Sequence, residues 1–98
     1  GRTEADWLGL QVETLSKEYA ERLGRPDMQG VVVTRVKPDS LAARVVQPGD
    51  VILSVNRNRV TGAQQYAKAI AKTEPKQGVL LLVYSQRTGY TQYVRIRK

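Results

Sequence analysis

The apolar residues of this chain fall into short runs that glycine and proline separate, and this spacing limits what the chain can fold into. The longest apolar run is Val79–Tyr84, whereas a membrane-spanning helix needs about 20 residues. Short β-branched runs bounded by turn-forming residues are typical of a small β-rich domain. A chain of 98 residues has room for one such domain with a modest core.

The composition excludes several classes of function. There is no cysteine and no histidine, so disulfides, thiolate metal sites, and Ser–His–Asp or Cys–His catalytic centres are excluded. No Ser–Lys or carboxylate pair lies in a recognisable motif, and we therefore predict no catalytic residue, no metal site and no cofactor. The net charge of +7 favours anionic partners in general, but the basic residues are scattered. We expect no nucleic-acid partner and no membrane insertion.

Alternating and β-branched patterns predict five short strands. In chain order, the predicted strands are Leu8–Leu15, Val31–Val36, Val51–Val55, Val79–Tyr84 and Thr91–Arg97. In the last of them, Val94 and Ile96 are predicted to face inward. Tight turns are predicted at Pro48–Asp50, at residues 56–58 and at Thr88–Gly89.

Helical patterns follow residues that can cap a helix. Ser16 can cap a short helix that ends before Gly24. The longer helix, Ala63–Lys72, is preceded by Thr61, which together with Gln64 resembles a capping box. The residues on one face of this longer helix are Ala63, Tyr66, Ala67 and Ile70.

A further helix of one or two turns is predicted over Leu41–Arg44, with Asp39 or Ser40 as its cap. Together these elements predict an α+β fold that is mostly β, a partly open barrel of five to six short strands with two helices over its open edges. We expect residues 1–6 to be linker and residues 7–98 to form one domain.

The stretch Trp7-Leu8-Gly9-Leu10 is suited to binding an anion. Consecutive backbone N–H groups that turn toward one point form an anion-binding nest. Gly9 permits the backbone dihedrals that such a turn needs, and it lets a ligand approach closely. An extended peptide could add to the strand that follows through main-chain hydrogen bonds.

A second motif is Gln47–Asn56, in which Gly-Asp opens an apolar strand that ends in Val-Asn. With the Leu-Gly-Leu loop and the order of the elements, it resembles PDZ domains. Over residues 7–97 the chain is most similar to the PDZ domains of HtrA/Do (DegP-like) periplasmic serine proteases. The resemblance implies that Gly49 and Asp50 have a structural role in the turn.

The resemblance also implies a peptide-binding site, residue by residue. The carboxylate-binding loop would be Trp7, Leu8, Gly9 and Leu10, whose backbone amides bind the C-terminal carboxylate of a peptide. The remaining groove residues would be Gln11, Val12, Ala63, Ala67 and Ile70. The pocket for the last ligand side chain would be lined by Leu8, Leu10, Val12, Ala67 and Ile70.

These assignments have plainer alternatives. Leu8 and Leu10 could be ordinary core residues, and for Tyr66 we favour that interpretation. Trp7 either stacks over the groove or covers the end of the barrel. Ala63 stands where many eukaryotic PDZ domains have a histidine that selects Ser or Thr in the ligand, so we expect a preference for apolar C-termini instead.

By resemblance, the chain would be a regulatory domain of a larger serine endopeptidase of the periplasm or cell envelope. It would bind C-termini or extended unfolded segments and contact the protease domain of the same parent chain. Three alternatives remain open. The domain could mediate assembly of a homo-oligomer through an occupied groove, or it could be a PDZ domain of another type of protease or scaffold protein. It could also bind an anionic surface, which would show as a strong dependence on salt.

Overall fold

The computed structural model describes residues 5–98, which form six strands and two helices. The strands are β1 (Leu10–Thr14), β2 (Val31–Val36), β3 (Val51–Val55), β4 (Asn58–Arg59), β5 (Val79–Tyr84) and β6 (Thr91–Ile96). The helices are α1 (Lys17–Arg22) and α2 (Ala63–Ala71). The predicted fold class is confirmed.

All strand pairs in the sheet are antiparallel, in the order β1-β2-β3-β5-β6, and the short strand β4 pairs with β3. The strand β1 therefore lies at an edge, and within residues 5–98 no further strand pairs with its outer side. A register shift between Gln11 and Val12 bends β1 against β2. An edge strand is the part of a sheet to which another extended segment can add.

The predicted bounds of β2, β3 and β5 are confirmed. The first strand begins at Leu10 and not at Leu8, because a turn over Trp7 and Leu8 precedes it. The strand β4 was not predicted. It forms because Asn56 and Arg57 both adopt positive φ angles (50° and 70°), which reverse the chain so that Arg59 pairs with Ser54.

The predicted helix over Leu41–Arg44 is wrong, because this segment consists of turns. Asp39 takes a left-handed φ of 65°, which is not a capping conformation. The Ser40 hydroxyl is buried and has no hydrogen-bond partner among residues 5–98. Bonds of the tight-turn type, such as Ala43 N–H to Ser40 O at 3.2 Å, hold the segment instead.

The other two predicted helices are present, and they are capped in different ways. In α1 the Ser16 hydroxyl accepts from the amide of Tyr19 at 3.1 Å, as expected. In α2 the N-cap is Gly62, which has no side chain to offer. The predicted pairing of Thr61 with Gln64 is wrong, since the amide and hydroxyl of Thr61 both bond Gln65.

One hydrophobic core fills the space between the sheet and α2. On α2 the buried side chains are Ala63, Tyr66 and Ile70, while Ala67 is exposed. Of the four residues that share one face of this helix, Ala67 therefore lies at the margin of the buried stripe. Burial of Tyr66, at 1% exposure, agrees with its interpretation as core.

In the described chain, no helix is long and apolar enough to cross a membrane.

The Gly-Asp motif forms the turn that was predicted. Gly49 has a φ of 95°, and Asp50 is only 4% exposed. The Asp50 carboxylate accepts from the amide of Gln47 at 2.9 Å and from the amide of Gln86 at 3.3 Å. One carboxylate thus joins the turn before β3 to the turn between β5 and β6.

We expect Asp50→Ala to lower the free energy of unfolding by about 2 kcal/mol, because two amide donors lose a charged acceptor. Urea unfolding of the wild type and the variant measures the difference. Asp27→Ala removes the same charge from an exposed residue and should change stability by less than about 0.5 kcal/mol. Equal losses in the two variants would contradict the structural role of Asp50.

Candidate functional site

The edge strand β1 lies beside α2. One polar contact joins the two elements directly, and a second joins the residues just before β1 to those just after α2. At one end the Thr14 hydroxyl accepts from the amide of Ala63 at 2.9 Å, which supplies the N-cap bond that Gly62 cannot make. At the other end the indole Nε1 of Trp7 donates to the hydroxyl of Thr73 at 3.0 Å. The two predicted walls of the groove are therefore adjacent and run in opposite directions.

The loop before β1 has the backbone shape that a nest requires. Gly9 adopts a φ of 89°, and its position has no room for a Cβ because Ser40 packs directly against it. The carbonyl groups of Leu8 and Gly9 turn toward residues 37–42, where they accept from the amides of Ala42 (3.1 Å) and Lys37 (2.9 Å). Because these carbonyls point toward residues 37–42, the amides of Leu8, Gly9 and Leu10 point away from that segment and toward one another.

All three loop amides converge on a single residue, Asp6. The amides of Leu8 and Leu10 donate to its carboxylate oxygen Oδ1 at 3.0 and 3.2 Å. The amide of Gly9 donates to its backbone carbonyl at 2.9 Å. The predicted carboxylate-binding nest therefore already holds a carboxylate, and that carboxylate belongs to the chain itself.

The second carboxylate oxygen of Asp6 is also bonded. Its Oδ2 accepts from the hydroxyl of Tyr66 on α2 at 2.8 Å. Burial raises the pKa of Asp6, and the hydrogen bonds from Tyr66 and the loop amides oppose that rise. The pKa of Tyr66 is raised by its burial and by the charge of Asp6 beside it. The phenol therefore remains a proton donor to Asp6.

The apolar residues predicted to line the ligand pocket are part of the core. Leu8, Leu10 and Val12 have no exposed surface, and Ile70 is 2% exposed. Ala67, in contrast, is exposed, and Gln11 is half-buried. A ligand side chain can therefore contact the buried members of this set only after the groove opens.

Trp7 is half-buried and packs against the core, where its indole bonds Thr73 beyond the end of α2. Of the two interpretations given above, covering the end of the barrel describes this position better. Ala63 is buried at 3% exposure, and its amide is taken by Thr14. Its methyl side chain offers a ligand no polar group.

Several cavities lie in the described structure, and one of about 340 Å³ is lined by Thr14 and by the start of α2, including Ala63. A cavity of about 180 Å³ adjoins the nest and is lined by Ala5, Gly9, Gln11, Arg35 and Lys37. A larger one of about 550 Å³ lies between the loop after α1 and strands β3 to β5. The cavity of about 550 Å³ contains none of the predicted site residues, whereas the one that adjoins the nest places two cations beside it.

Sequence reasoning missed Asp6, Thr14 and Thr73. A signal for Asp6 was present, because an aspartate commonly bonds the backbone amide two residues later, here that of Leu8. The contributions of Thr14 and Thr73 depend on contacts between distant parts of the chain, and no local pattern predicts them.

Among residues 5–98, no group of His, Cys, Asp or Glu side chains is arranged to hold a metal ion.

Comparisons with known proteins agree with this geometry. A family model described as the PDZ domain matches residues 2–84. A probable periplasmic serine endoprotease, DegP-like, of Bartonella henselae is 28% identical over 97 residues, which cover 99% of this chain and 19% of that protein. The chain thus spans about a fifth of the length of this relative.

Solved structures of similar fold contain bound peptides. The HtrA-type protease AlgW with a decapeptide is 35% identical with a TM-score of 0.71, over 92% of this chain and 27% of that one. The same protease with a tripeptide is 33% identical with a TM-score of 0.77, over 93% of this chain and 30% of that one. The likeness therefore covers nearly the whole of this chain and a part of each larger protein.

We expect Gly9→Ala to destabilise the domain by more than Gly24→Ala. Both glycines have positive φ angles (89° and 75°), but a Cβ at Gly24 meets no atom within 4 Å, whereas one at Gly9 collides with Ser40. Backbone strain alone costs about 1 kcal/mol, and the collision adds to it. Urea unfolding measures both variants, and Ser40→Gly combined with Gly9→Ala should recover the excess. No recovery would contradict the collision.

We expect Thr14→Val to lower the free energy of unfolding by about 1 kcal/mol, because α2 then loses its only side-chain N-cap bond among the described residues. Thr14→Ser retains the hydroxyl and should keep most of the stability. Thermal unfolding of the three proteins gives the comparison. A loss in Thr14→Ser as large as that in Thr14→Val would show that the methyl group, and not the hydroxyl, matters.

Proposed function

Because this chain belongs to the PDZ domain family, we propose that it is the peptide-recognition domain of a larger serine endopeptidase of the HtrA/Do type. It binds apolar C-termini or extended unfolded segments of substrate proteins and presents them to the protease domain of the same parent. The similarity to a DegP-like endoprotease and to AlgW supports the assignment of the parent.

The observation that carries this proposal is the adjacency of an edge strand, a nest and a helix. An extended peptide can add to β1 through main-chain hydrogen bonds, with α2 as the second wall. The nest amides of Leu8, Gly9 and Leu10 lie at the end of that edge. Such an arrangement holds a chain end by its carboxylate and the preceding residues by their backbone.

The groove favours apolar ligands over ligands that end in a Ser or Thr motif. The side chains nearest the nest, Leu8 and Leu10, are apolar, and Ala63 offers no hydrogen bond at the start of α2. Arg35 and Lys37 beside the nest attract a terminal carboxylate through long-range electrostatics. The groove should discriminate weakly among the ligand residues that precede the last one, since main-chain hydrogen bonds do not depend on which side chain a residue has.

The composition of the chain indicates that peptide binding and catalysis belong to different domains of the parent. A chain without histidine cannot provide a Ser–His–Asp triad, so in this proposal catalysis belongs to the parent's protease domain. We place the parent in the periplasm or cell envelope, by analogy with relatives that are named periplasmic.

A second candidate function is assembly, in which the groove holds a segment of a neighbouring subunit and the parent forms a homo-oligomer. The burial of Leu8, Leu10 and Val12 and the bonded state of the nest disfavour weak soluble ligands. A segment of a neighbouring subunit is present at high effective concentration and can open such a groove more readily. Peptide binding in solution separates the two functions.

We expect Ala67→Trp to weaken binding of short peptides with apolar last residues by about tenfold or more, equivalent to about 1.4 kcal/mol. The exposed Ala67 borders the buried stripe of α2, so a large ring there obstructs the groove. Lys68→Trp places the same ring further around the helix and serves as the control. Fluorescence anisotropy of labelled peptides measures both.

Equal affinities in Ala67→Trp and the wild type would place the binding surface elsewhere. An absence of binding by the wild type, across a library of short peptides, would favour the assembly function. Binding that falls steeply with salt, and that does not depend on the last residue, would indicate an anionic-surface binder.

A further inference from the structure

Asp6 offers the nest the same groups that the last residue of a bound peptide would offer. Its carboxylate accepts from the amides of Leu8 and Leu10. Its own backbone amide donates to the carbonyl of Leu10 at 3.3 Å, on the outer side of β1. A peptide that adds to this edge with its C-terminal carboxylate in the nest needs the amides and the carbonyl that Asp6 already uses.

The position of Asp6 is fixed from the opposite wall as well. The Tyr66 hydroxyl, on a side chain that is 1% exposed, donates to the second carboxylate oxygen at 2.8 Å. Asp6 therefore bridges the nest and α2 across the end of the groove. A ligand carboxylate cannot share this space, because two carboxylates at one set of donors repel one another.

We propose that Asp6 is an internal competitor for the nest, so that a peptide binds by its C-terminal carboxylate only when it displaces the Asp6 side chain. This inference rests on the proposed function, since it concerns how the same groove selects its ligands. While Asp6 is in place, main-chain pairing along β1 remains the available mode. The domain then accepts internal extended segments as readily as chain ends.

The displacement has a mechanical consequence. Asp6 lies in the segment that leads into β1, and its backbone bonds both Gly9 and Leu10. A ligand that takes over the nest therefore releases the Asp6 carboxylate from the loop amides and from Tyr66 together. Binding of a chain end is thereby coupled to the position of Asp6 itself.

The test uses a short peptide ending in Val, prepared as the free acid and as the C-terminal amide. We expect the wild type to bind the two forms with affinities within about threefold of one another. Asp6→Ala should bind the free acid about tenfold or more tightly than the wild type does, with little change for the amide. Asp27→Ala, which removes an exposed carboxylate, is the charge-matched control and should leave both affinities unchanged.

Two further variants serve as controls. One separates occupancy of the nest by the Asp6 side chain from the effect of its charge, and the other guards against loss of folding. Asp6→Asn keeps an acceptor for the loop amides but removes the charge, so its gain for the free acid should be smaller than that of Asp6→Ala. Asp6→Ala combined with Tyr66→Phe removes both partners of the buried bond, which avoids leaving a hydroxyl without an acceptor. Thermal unfolding of each variant shows that the comparison is made between folded proteins.

The outcomes distinguish this inference from the function on which it rests. If the wild type already prefers the free acid strongly and Asp6→Ala binds it no more tightly, Asp6 is not a competitor, while peptide recognition stands. If Asp6→Ala binds the free acid more weakly, Asp6 organises the loop and the inference is overturned. If neither protein binds the peptide in either form, the proposed function fails and the inference fails with it.

Discussion

The left-handed backbone of Gly9 is the constraint on which the functional end of the molecule depends. With a φ of 89°, it directs the carbonyls of Leu8 and Gly9 toward the loop over residues 37–42 and so turns the loop amides toward α2. Ser40 packs against the same residue so closely that no side chain fits there. Conformation and packing therefore both require glycine, for reasons that are physically distinct.

Polar contacts join β1 and the residues just before it to α2 and a residue just after it, and the apolar faces of these two elements share one core. Thr14 with Ala63, Asp6 with Tyr66, and Trp7 with Thr73 span the length of the groove. A neutral hydrogen bond of this kind contributes about 0.5–1.5 kcal/mol, and one to a charged group about 1.5–3 kcal/mol. The Asp6–Tyr66 pair is thus the strongest candidate for keeping β1 and α2 together, and it lies where a ligand's chain end would bind.

Burial of Asp6 makes its charge costly, whereas the loop amides and Tyr66 compensate for that cost. The Asp6 carboxylate in the nest is therefore costly to bury but well supplied with hydrogen-bond donors. A ligand carboxylate would meet the same donors, with Arg35 and Lys37 beside it. Exchange of one carboxylate for another therefore changes the local charge little, and main-chain pairing along β1 would decide the balance.

The sequence by itself determined the local elements, because their causes are local. β-Branched runs define β2, β3 and β5; Ser16 caps α1; and Gly49 with Asp50 forms the turn before β3. The positive φ of Gly9 was also predictable, since glycine permits the backbone dihedrals that a tight turn ahead of a strand needs. The helix over Leu41–Arg44 was predicted wrongly, because the left-handed turn at Asp39 outweighs the capping tendency of that residue.

Only the tertiary structure decided what occupies the nest and how the groove is closed. Asp6 reaches Tyr66 across 60 residues of sequence, and Trp7 reaches Thr73 across 66. The N-cap of α2 comes from Thr14 on a strand and not from the residues next to the helix. Such contacts depend on where the folded backbone brings distant segments together, and no pattern within either segment specifies that placement.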